Sequence, residues 1–290
     1  MEPSSIGHRP SRLDASLVRV ALAPWRWLTA PELSGVEHVP RHRPVLFAGN
    51  HTTWAVLDAP LLLLALYERT GRFPRTLGDH LHFRIPGWRE LVARFGVVDG
   101  TRENGRALMQ AGESLVVFPG GAREVFKRRG EKYCLIWGKR TGFARLAIEF
   151  GYPIVPFSAV GAEDAYDILL DADDLLATPL GPVLRRLVAR PELIPPIARG
   201  IGPTALPRPE RLYFHFGEPV ETRHLAGRQD EEEVAFAVRE KVRRAVEDGI
   251  ARLLLERERD PDHALLPRLL TRPLRRRRRR AHRDVTAVRT

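Results

Sequence analysis

The 290 residues of this chain suffice for one large domain or two small ones, and the 43% that are hydrophobic can fill a sizeable core. Residues 264–290 hold ten Arg and one Asp, so they carry +9 of the net charge of +11 and leave residues 1–263 near neutral; the charge therefore does not mark the body of the chain as nucleic-acid-binding. The single cysteine, Cys134, excludes an intramolecular disulfide and a cysteine-rich zinc site, and it fits a reducing, cytoplasmic location.

The N-terminal region predicts a flexible segment followed by a helix. Residues 1–14 are mostly polar, whereas Ala15–Thr29 combines leucines and valines with Trp25, Trp27 and two Arg. This pattern indicates a helix, kinked at Pro24, that either lies at a lipid interface with its Trp side chains at headgroup depth or packs on the core. No apolar run reaches the roughly 18 residues that a transmembrane helix needs, so we expect a peripheral protein.

Short apolar runs then alternate with longer helical patterns, which predicts an α/β fold with a mostly parallel central sheet flanked by helices. The predicted strands are Pro44–Ala48, Arg75–Leu77, Val97–Asp99, Ser114–Phe118, Ile154–Ser158 and Arg211–Phe216. The predicted helices are Leu57–Glu68, Gly87–Phe95, Glu103–Gln110, Gly142–Phe150 and a long C-terminal helix over Asp230–Arg259. Residues 171–209 show no clear period and either cap the sheet or form a lipid-facing lid.

A polar sequence containing Asn50, His51 and Asp58 follows the first of these strands and enters a helix. It therefore lies at a carboxyl end of the sheet, where open α/β folds bind ligands. Histidine accepts a proton near neutral pH, and a carboxylate can fix its tautomer. Because positions i and i+7 lie about 10 Å apart along a helix, His51 must precede the helix in a turn if it bonds to Asp58. A loop histidine and a helix-start acid without a shared role are the alternative.

A second polar sequence follows the predicted strand that ends at Phe118, and it consists of Pro119, Gly120, Gly121, Ala122, Arg123 and Glu124. A Pro-Gly-Gly turn lets a ligand approach the backbone closely and presents N–H groups to it. A nucleotide phosphate loop is not supported, because no Gly-Lys-Ser/Thr follows. The alternative is a simple turn that ends the strand.

In this order, the two sequences together with Phe95–Gly105 and Ile154–Gly161 resemble the glycerolipid and lysophospholipid acyltransferase family. The usual signature of that family is His, four residues and Asp, then Phe-Pro-Glu-Gly and an apolar Val-Pro strand. This chain is similar to the Pro-Gly-Gly branch, which includes diacylglycerol acyltransferase-like proteins, over about residues 40–220. It departs from the signature twice: six residues separate His51 from Asp58, and Gly120-Gly121 stands in place of Glu-Gly.

The resemblance implies a glycerol-3-phosphate acyltransferase-like fold and a reaction without metal or cofactor, in which acyl-CoA is the co-substrate. The fatty acyl group would pass to the hydroxyl of a lysophospholipid or acylglycerol acceptor. His51 would be the general base, Asp58 would orient it, and backbone N–H groups near the turn would stabilise the oxyanion. The residues implied to bind the acyl donor or the acceptor are Asn50, Arg102, Pro119, Gly120, Gly121, Arg123 and Glu124.

Two basic segments complete the prediction. The first, Lys127 to Lys132, either binds phosphates of acyl-CoA or of a headgroup or forms a solvated face. The second begins at Arg275, Arg276, Arg277 and Arg278, where like charges repel and indicate disorder. With Trp25 and Trp27, it is expected to contact an anionic membrane surface and no specific nucleic acid. The predicted organisation is a flexible N-terminus (1–14), an acyltransferase domain (15–260, core 40–220) and an Arg-rich tail (261–290), at the cytoplasmic face of a membrane.

Other functions were weighed against this one. A non-enzymatic membrane or nucleic-acid adaptor would use the Arg-rich tail alone. A serine lipid hydrolase would need a nucleophile, but none of the seven Ser lies in Gly-x-Ser-x-Gly. A metal site at His80 and His82 is disfavoured, because no further Cys/His cluster is near.

Overall fold

The computed structural model describes residues 8–52, 54, 57–188, 190 and 193–270. In chain order the strands are β1 (Glu32–Ser34), β2 (Leu46–Gly49), β3 (Arg75–Gly78), β4 (Val97–Asp99), β5 (Leu115–Val117), β6 (Ile154–Val160), β7 (Asp167–Leu170), β8 (Ile197–Arg199) and β9 (Tyr213–Phe216). The helices are α1 (Arg12–Thr29), α2 (Ala59–Thr70), α3 (Leu81–Arg84), α4 (Trp88–Arg94), α5 (Arg102–Gln110), α6 (Ala122–Val125), α7 (Gly142–Phe150), α8 (Ala172–Ala177), α9 (Gly181–Leu187) and α10 (Glu232–Arg259).

Seven strands form the central sheet in the order β1-β9-β6-β2-β5-β3-β4, and the predicted mostly parallel α/β architecture is confirmed. Strands β2 to β6 all run parallel, whereas β9 pairs antiparallel with β6 and parallel with β1. Because β2 lies between β5 and β6, the segments that leave the carboxyl ends of these three strands meet at one edge of the sheet. Strands β7 and β8 pair separately, in antiparallel orientation.

Alternation along the strands divides the core between the two faces of the sheet. On one face, Leu46 and Leu115 pack with residues of α5, α7 and α10. On the other, Phe47 and Val116 pack with α2 and with the inner side of α1. Side chains that alternate along a strand point to opposite faces, so each of these strands is buried on both sides, as expected for a parallel sheet covered by helices.

Helix α1 has one packed and one exposed face. Leu22 and Trp25 contact the core, and the indole N–H of Trp25 donates to the Leu57 carbonyl at 2.8 Å. Trp27 and Val20 of the same helix are 48% and 73% exposed. The helix runs continuously through Pro24. The core-packing arrangement therefore describes one face of α1, and the interfacial arrangement stays a prediction for the other.

The described residues end inside the predicted tail. Residues 261–270 pack on the domain, where the buried Arg268 donates to the carbonyl oxygens of His263 and Pro209. The predicted membrane contacts Arg275, Arg276, Arg277 and Arg278 lie outside the described residues. Within the described part of the chain, no helix combines the length and hydrophobicity that crossing a bilayer requires.

Candidate active site

His51 lies just beyond β2, in the loop between the carboxyl ends of β5 and β6. Its ring stacks on Phe118, with 3.9 Å between the ring centroids and 14° between the planes. Phe118 in turn meets Phe157 of β6 edge to face. The Nδ1 atom of His51 is buried and has no hydrogen-bond partner among the residues that the structure describes. A fixed imidazole with an unsatisfied buried nitrogen is an arrangement that calls for a function.

The surroundings of His51 keep its ring neutral. Burial, followed by the positive charge of Lys127, lowers the pKa of His51 to about 3. A neutral imidazole can accept a proton from a bound hydroxyl at physiological pH, although such a low pKa makes it a weak base until another group stabilises the imidazolium.

Asp58 begins α2 and is buried. Its Oδ1 accepts hydrogen bonds from the Thr52 hydroxyl and from the Ala59 N–H, both at 2.8 Å. Burial raises the pKa of Asp58, and these two bonds oppose the shift. The predicted hydrogen bond between Asp58 and His51 is not present among the described residues. Asp58 instead accepts hydrogen bonds from Thr52 and from the backbone at the start of α2. The catalytic roles of His51 and Asp58 thus stay predictions.

The loop between His51 and Asp58 is held by contacts with α1 and with the region of α6. Trp54 adopts a left-handed backbone with φ of 65°, donates its N–H to the Val125 carbonyl and packs edge to face on Phe126. Trp25 of α1 holds the same loop through the Leu57 carbonyl. The spacing of six residues, two longer than the usual signature, is therefore accommodated by a loop that docks on α6 and α1. The sequence analysis assigned no role to Trp54.

Glu124 connects three segments of the site. One carboxylate oxygen accepts the His51 backbone N–H at 3.0 Å, and the other accepts the Ile136 N–H at 2.7 Å. The side chain has no exposed surface, and burial raises its pKa to about 7. Its predicted role in binding a substrate stays untested, whereas these contacts give the carboxylate a structural task.

The Pro-Gly-Gly turn is shaped by the same carboxylate and by Arg140. A Cβ atom added at Gly120 would overlap the carboxylate of Glu124, so only glycine fits there. Gly121 has φ of 55°, in the region that favours glycine. The guanidinium of Arg140 donates to the carbonyl oxygens of Pro119 and Gly120. These two carbonyls are therefore turned toward Arg140.

A buried ion pair lies beside the site. Lys127 Nζ and Glu163 Oε1 are 2.6 Å apart, and both side chains are 1% exposed. The other oxygen of Glu163 accepts the Tyr133 N–H, and the Tyr133 hydroxyl donates to Asp164. Burial raises the pKa of Glu163, and the charge of Lys127 opposes that shift. The pair links the segment after β5 to the segment after β6.

The first basic segment forms one wall of an open cleft of about 240 Å³. Its cations are paired with carboxylates: Lys132 with Asp164, Arg128 with Asp173 and Arg129 with Asp174. Tyr166 and Ile168 also line the cleft. The charge that could attract a phosphate is thus largely neutralised by α8 and by the turn before β7.

Three further predicted site residues have other contacts. The Asn50 amide bonds to both the N–H and the carbonyl of Ala159, which continues the β2–β6 pairing by one residue. Arg123 pairs with Glu131. Arg102, 52% exposed at the start of α5, lies 3.6 Å from Asp230. The structure therefore joins His51 to Glu124 and to the glycine turn, and it connects Asp58 to the site through Thr52. The contacts of Asn50, Arg123 and Arg102 are with neighbours outside that group.

The residues that could suggest metal or serine chemistry have other partners. His80 pairs with Asp99, whereas His82 accepts the indole N–H of Trp88. In the described part of the chain, no three His, Cys, Asp or Glu side chains are arranged to hold a metal ion. Ser34 hydrogen-bonds to His215, but the two are in-register neighbours on β1 and β9.

Part of the chain matches a model of a protein family, and relatives are found beyond that part. Residues 30–160 match the family model described as Acyltransferase. The chain is 30% identical to phytyl ester synthase 1, chloroplastic, of Arabidopsis thaliana over 82% of its own length, and 34% identical to the "DGAT1/2-independent enzyme synthesizing storage lipids" of Bos taurus over 43% of its length. It spans only 36% and 37% of the length of these two relatives.

One solved structure is also similar. The 1-acyl-sn-glycerophosphate (LPA) acyltransferase PlsC from Thermotoga maritima superimposes with a TM-score of 0.48 and 17% sequence identity. The alignment covers 82% of this chain and 80% of that one.

Proposed function

We propose that this chain, whose residues 30–160 match the acyltransferase family model, transfers a fatty acyl group from acyl-CoA to the hydroxyl of a lipid acceptor at a membrane surface, on its cytoplasmic side. The observation that carries the proposal is the neutral His51 ring, fixed on Phe118 beside the glycine turn, with a buried nitrogen that lacks a partner in the described residues.

The proposed reaction needs no covalent enzyme intermediate. His51 accepts the proton of the acceptor hydroxyl while the oxygen of that hydroxyl attacks the thioester carbonyl carbon. The tetrahedral oxyanion collapses, the C–S bond breaks, and the proton passes to the departing CoA thiolate, which leaves an ester and a thiol. Asp58 would orient His51 and stabilise the imidazolium, and backbone N–H groups of the turn would face the oxyanion.

Among acceptors, uncharged hydroxyl compounds are favoured. The cations that line the cleft have carboxylate partners, so a phosphate would have to displace an existing ion pair. An acylglycerol makes no such demand. A long-chain alcohol is a second candidate, because a relative that aligns with 82% of this chain carries the name phytyl ester synthase. Lysophospholipids become the less favoured acceptors.

The test is transfer of a labelled acyl chain from acyl-CoA to a panel of monoacylglycerol, diacylglycerol, phytol, lysophosphatidic acid and lysophosphatidylcholine. An acyl carrier protein thioester serves as the competing donor. His51→Gln is expected to lower kcat by about 10²–10⁴-fold, the range of a positioned general base. His224→Gln, a substitution of an exposed histidine, is the matched control. Equal turnover by both variants would remove His51 as the base, and absence of transfer to every acceptor by the unsubstituted protein would defeat the proposal.

A further inference from the structure

The segment from residue 167 to 206, termed here the 167–206 arm, lies between β6 and β9, which end and begin at the edge of the sheet that carries the candidate site. It begins where β6 ends and passes through β7, α8, α9 and β8 before the chain returns in β9. Since β6 neighbours β2, the arm leaves the sheet beside the loop of His51. Its base is fixed to the site by the ion pairs of α8 with Arg128 and Arg129.

The arm exposes far more apolar surface than its length predicts. Of nineteen large apolar side chains that are exposed among the described residues, seven belong to it. Leu180, directly before α9, and Val183 of α9 are 67% and 52% exposed, and Leu206 is 64% exposed. Leu170 and Ile197 are cross-strand partners in the β7–β8 pair, and both are exposed. Exposed apolar side chains gathered in this way mark an interaction surface.

The distal part of the arm is also basic. Residues 175–206 contain four Arg and a single acid, Glu192. Arg185 and Arg186 are exposed and lie two and three residues after Val183 on α9. The acids near the base of the arm, by contrast, pair with the first basic segment. Apolar side chains interspersed with arginine complement a surface that is anionic at the level of the headgroups and apolar beneath them.

A second apolar surface continues the first around the site. Arg190 lies 3.6 Å from Asp79, which precedes α3. Ile85, between α3 and α4, and Leu91 of α4 are exposed. The two surfaces thus follow the carboxyl ends of β3 and β6, at the edge of the sheet that carries His51.

We propose that the 167–206 arm docks on an anionic lipid bilayer and so holds the opening of the His51 site against the membrane. This inference deepens the proposed function by assigning the surface through which a membrane-resident acceptor is reached. Lipid binding itself can be measured whether or not acyl transfer occurs.

The test uses the full chain and vesicles of phosphatidylcholine with and without phosphatidylglycerol, in a flotation assay. Leu180→Asp/Val183→Asp is expected to reduce the bound fraction at limiting lipid by about tenfold, because two charges enter the apolar contact. Arg185→Gln/Arg186→Gln is expected to weaken binding to the anionic vesicles and to flatten its dependence on salt. Leu255→Asp on α10, an exposed position distant in sequence from the arm, is the matched control and should bind as the unsubstituted protein does.

Three outcomes would overturn the proposal. Binding that is unchanged by both arm variants is the first. The second is binding that falls only in Leu17→Asp/Val20→Asp, which would assign docking to α1. The third is a change of oligomeric state in gel filtration with unchanged vesicle binding, which would mean that a second copy covers the arm. Transfer to a water-soluble short-chain acceptor should persist in the arm variants. If the unsubstituted protein itself does not catalyse that transfer, the proposed function fails, whatever the result of the vesicle assay.

Discussion

The backbone N–H of His51 donates to Oε2 of Glu124 across 3.0 Å, and this bond joins the segment that follows β2 to the segment that follows β5. The other oxygen of Glu124 binds the Ile136 N–H. A carboxylate that accepts two backbone donors fixes the position of His51 relative to the glycine turn without touching its ring. Glu124 is therefore proposed as a positioning residue.

Gly120 and Glu124 should be energetically coupled, because the carboxylate occupies the space of a residue-120 side chain. Gly120→Ala is expected to displace the carboxylate and lower kcat/KM about tenfold or more through misplacement of His51. In a Glu124→Ala background the added methyl has room, so Gly120→Ala should cost little further activity. Initial rates of the four proteins form a double-mutant cycle.

The control for this cycle is Gly142→Ala at the start of α7, where an added Cβ meets nothing within 4 Å. It should leave activity unchanged. If the loss of activity in the double variant equals the product of the losses in the two single variants, Gly120 and Glu124 are not coupled. That result would contradict the positioning role of Glu124.

Asp58 offers a way to separate its helix-capping task from its proposed electrostatic one. Asparagine caps helices about as well as aspartate, whereas alanine costs about 1 kcal/mol. Asp58→Asn should therefore retain thermal stability but lower kcat, since the neutral amide stabilises the imidazolium poorly. Asp58→Ala should lose both. Calorimetry and initial rates distinguish the two, and full activity of Asp58→Asn would restrict Asp58 to capping α2 and bonding Thr52.

The sequence was sufficient for the sheet because its strands are short apolar runs bounded by turn residues. The predicted β4 and α7 coincide with the observed elements, and the other predicted strands shift by at most three residues at either end. The strand β1 was missed because Glu32–Ser34 is too short and too polar to stand out. The 167–206 arm was missed as secondary structure because its helices are only six and seven residues long.

The site was predicted in its residue types but not in its contacts. Spacing placed His51 and the glycine turn at one edge of the sheet, since both follow parallel strands. Spacing could not show that the Thr52 hydroxyl would donate to Asp58, or that Glu124 would accept the backbone N–H of His51. Those hydrogen bonds depend on the path of a loop. The pair of Lys127 and Glu163 joins residues 36 apart, and no local pattern announces it.

His51 should make stability depend on pH in a characteristic way. Its pKa is about 3 in the folded protein and 6.5 ordinarily, so the unfolded chain binds the proton first as the pH falls. The stability that neutral His51 contributes is complete above pH 6.5 and is lost as the pH falls toward 3. The free energy of unfolding should fall by about 1.4 kcal/mol per pH unit relative to His51→Gln over that window.

Urea denaturation of both proteins at pH 7.5, 6.0 and 5.0 measures this difference. A constant gap between the two proteins would show that His51 titrates normally in the folded state. The acid limb of kcat/KM should correspondingly lie well below pH 6.5, because the base is already neutral there.

The ion pair of Lys127 and Glu163 should be costly to break and cheaper to replace. Lys127→Met leaves the Glu163 carboxylate buried without its cation and is expected to destabilise the fold by about 3–5 kcal/mol. Lys127→Met/Glu163→Gln removes both charges, and the amide oxygen can still accept the Tyr133 N–H, so the double variant should recover a large part of that loss. Arg252→Ala, which breaks an exposed pair with Glu256 on α10, should cost about 0.5 kcal/mol or less.

Denaturant unfolding compares the three variants. A loss in Lys127→Met no larger than that in Arg252→Ala would mean that water reaches the pair and that Lys127 does not shape the electrostatics around His51.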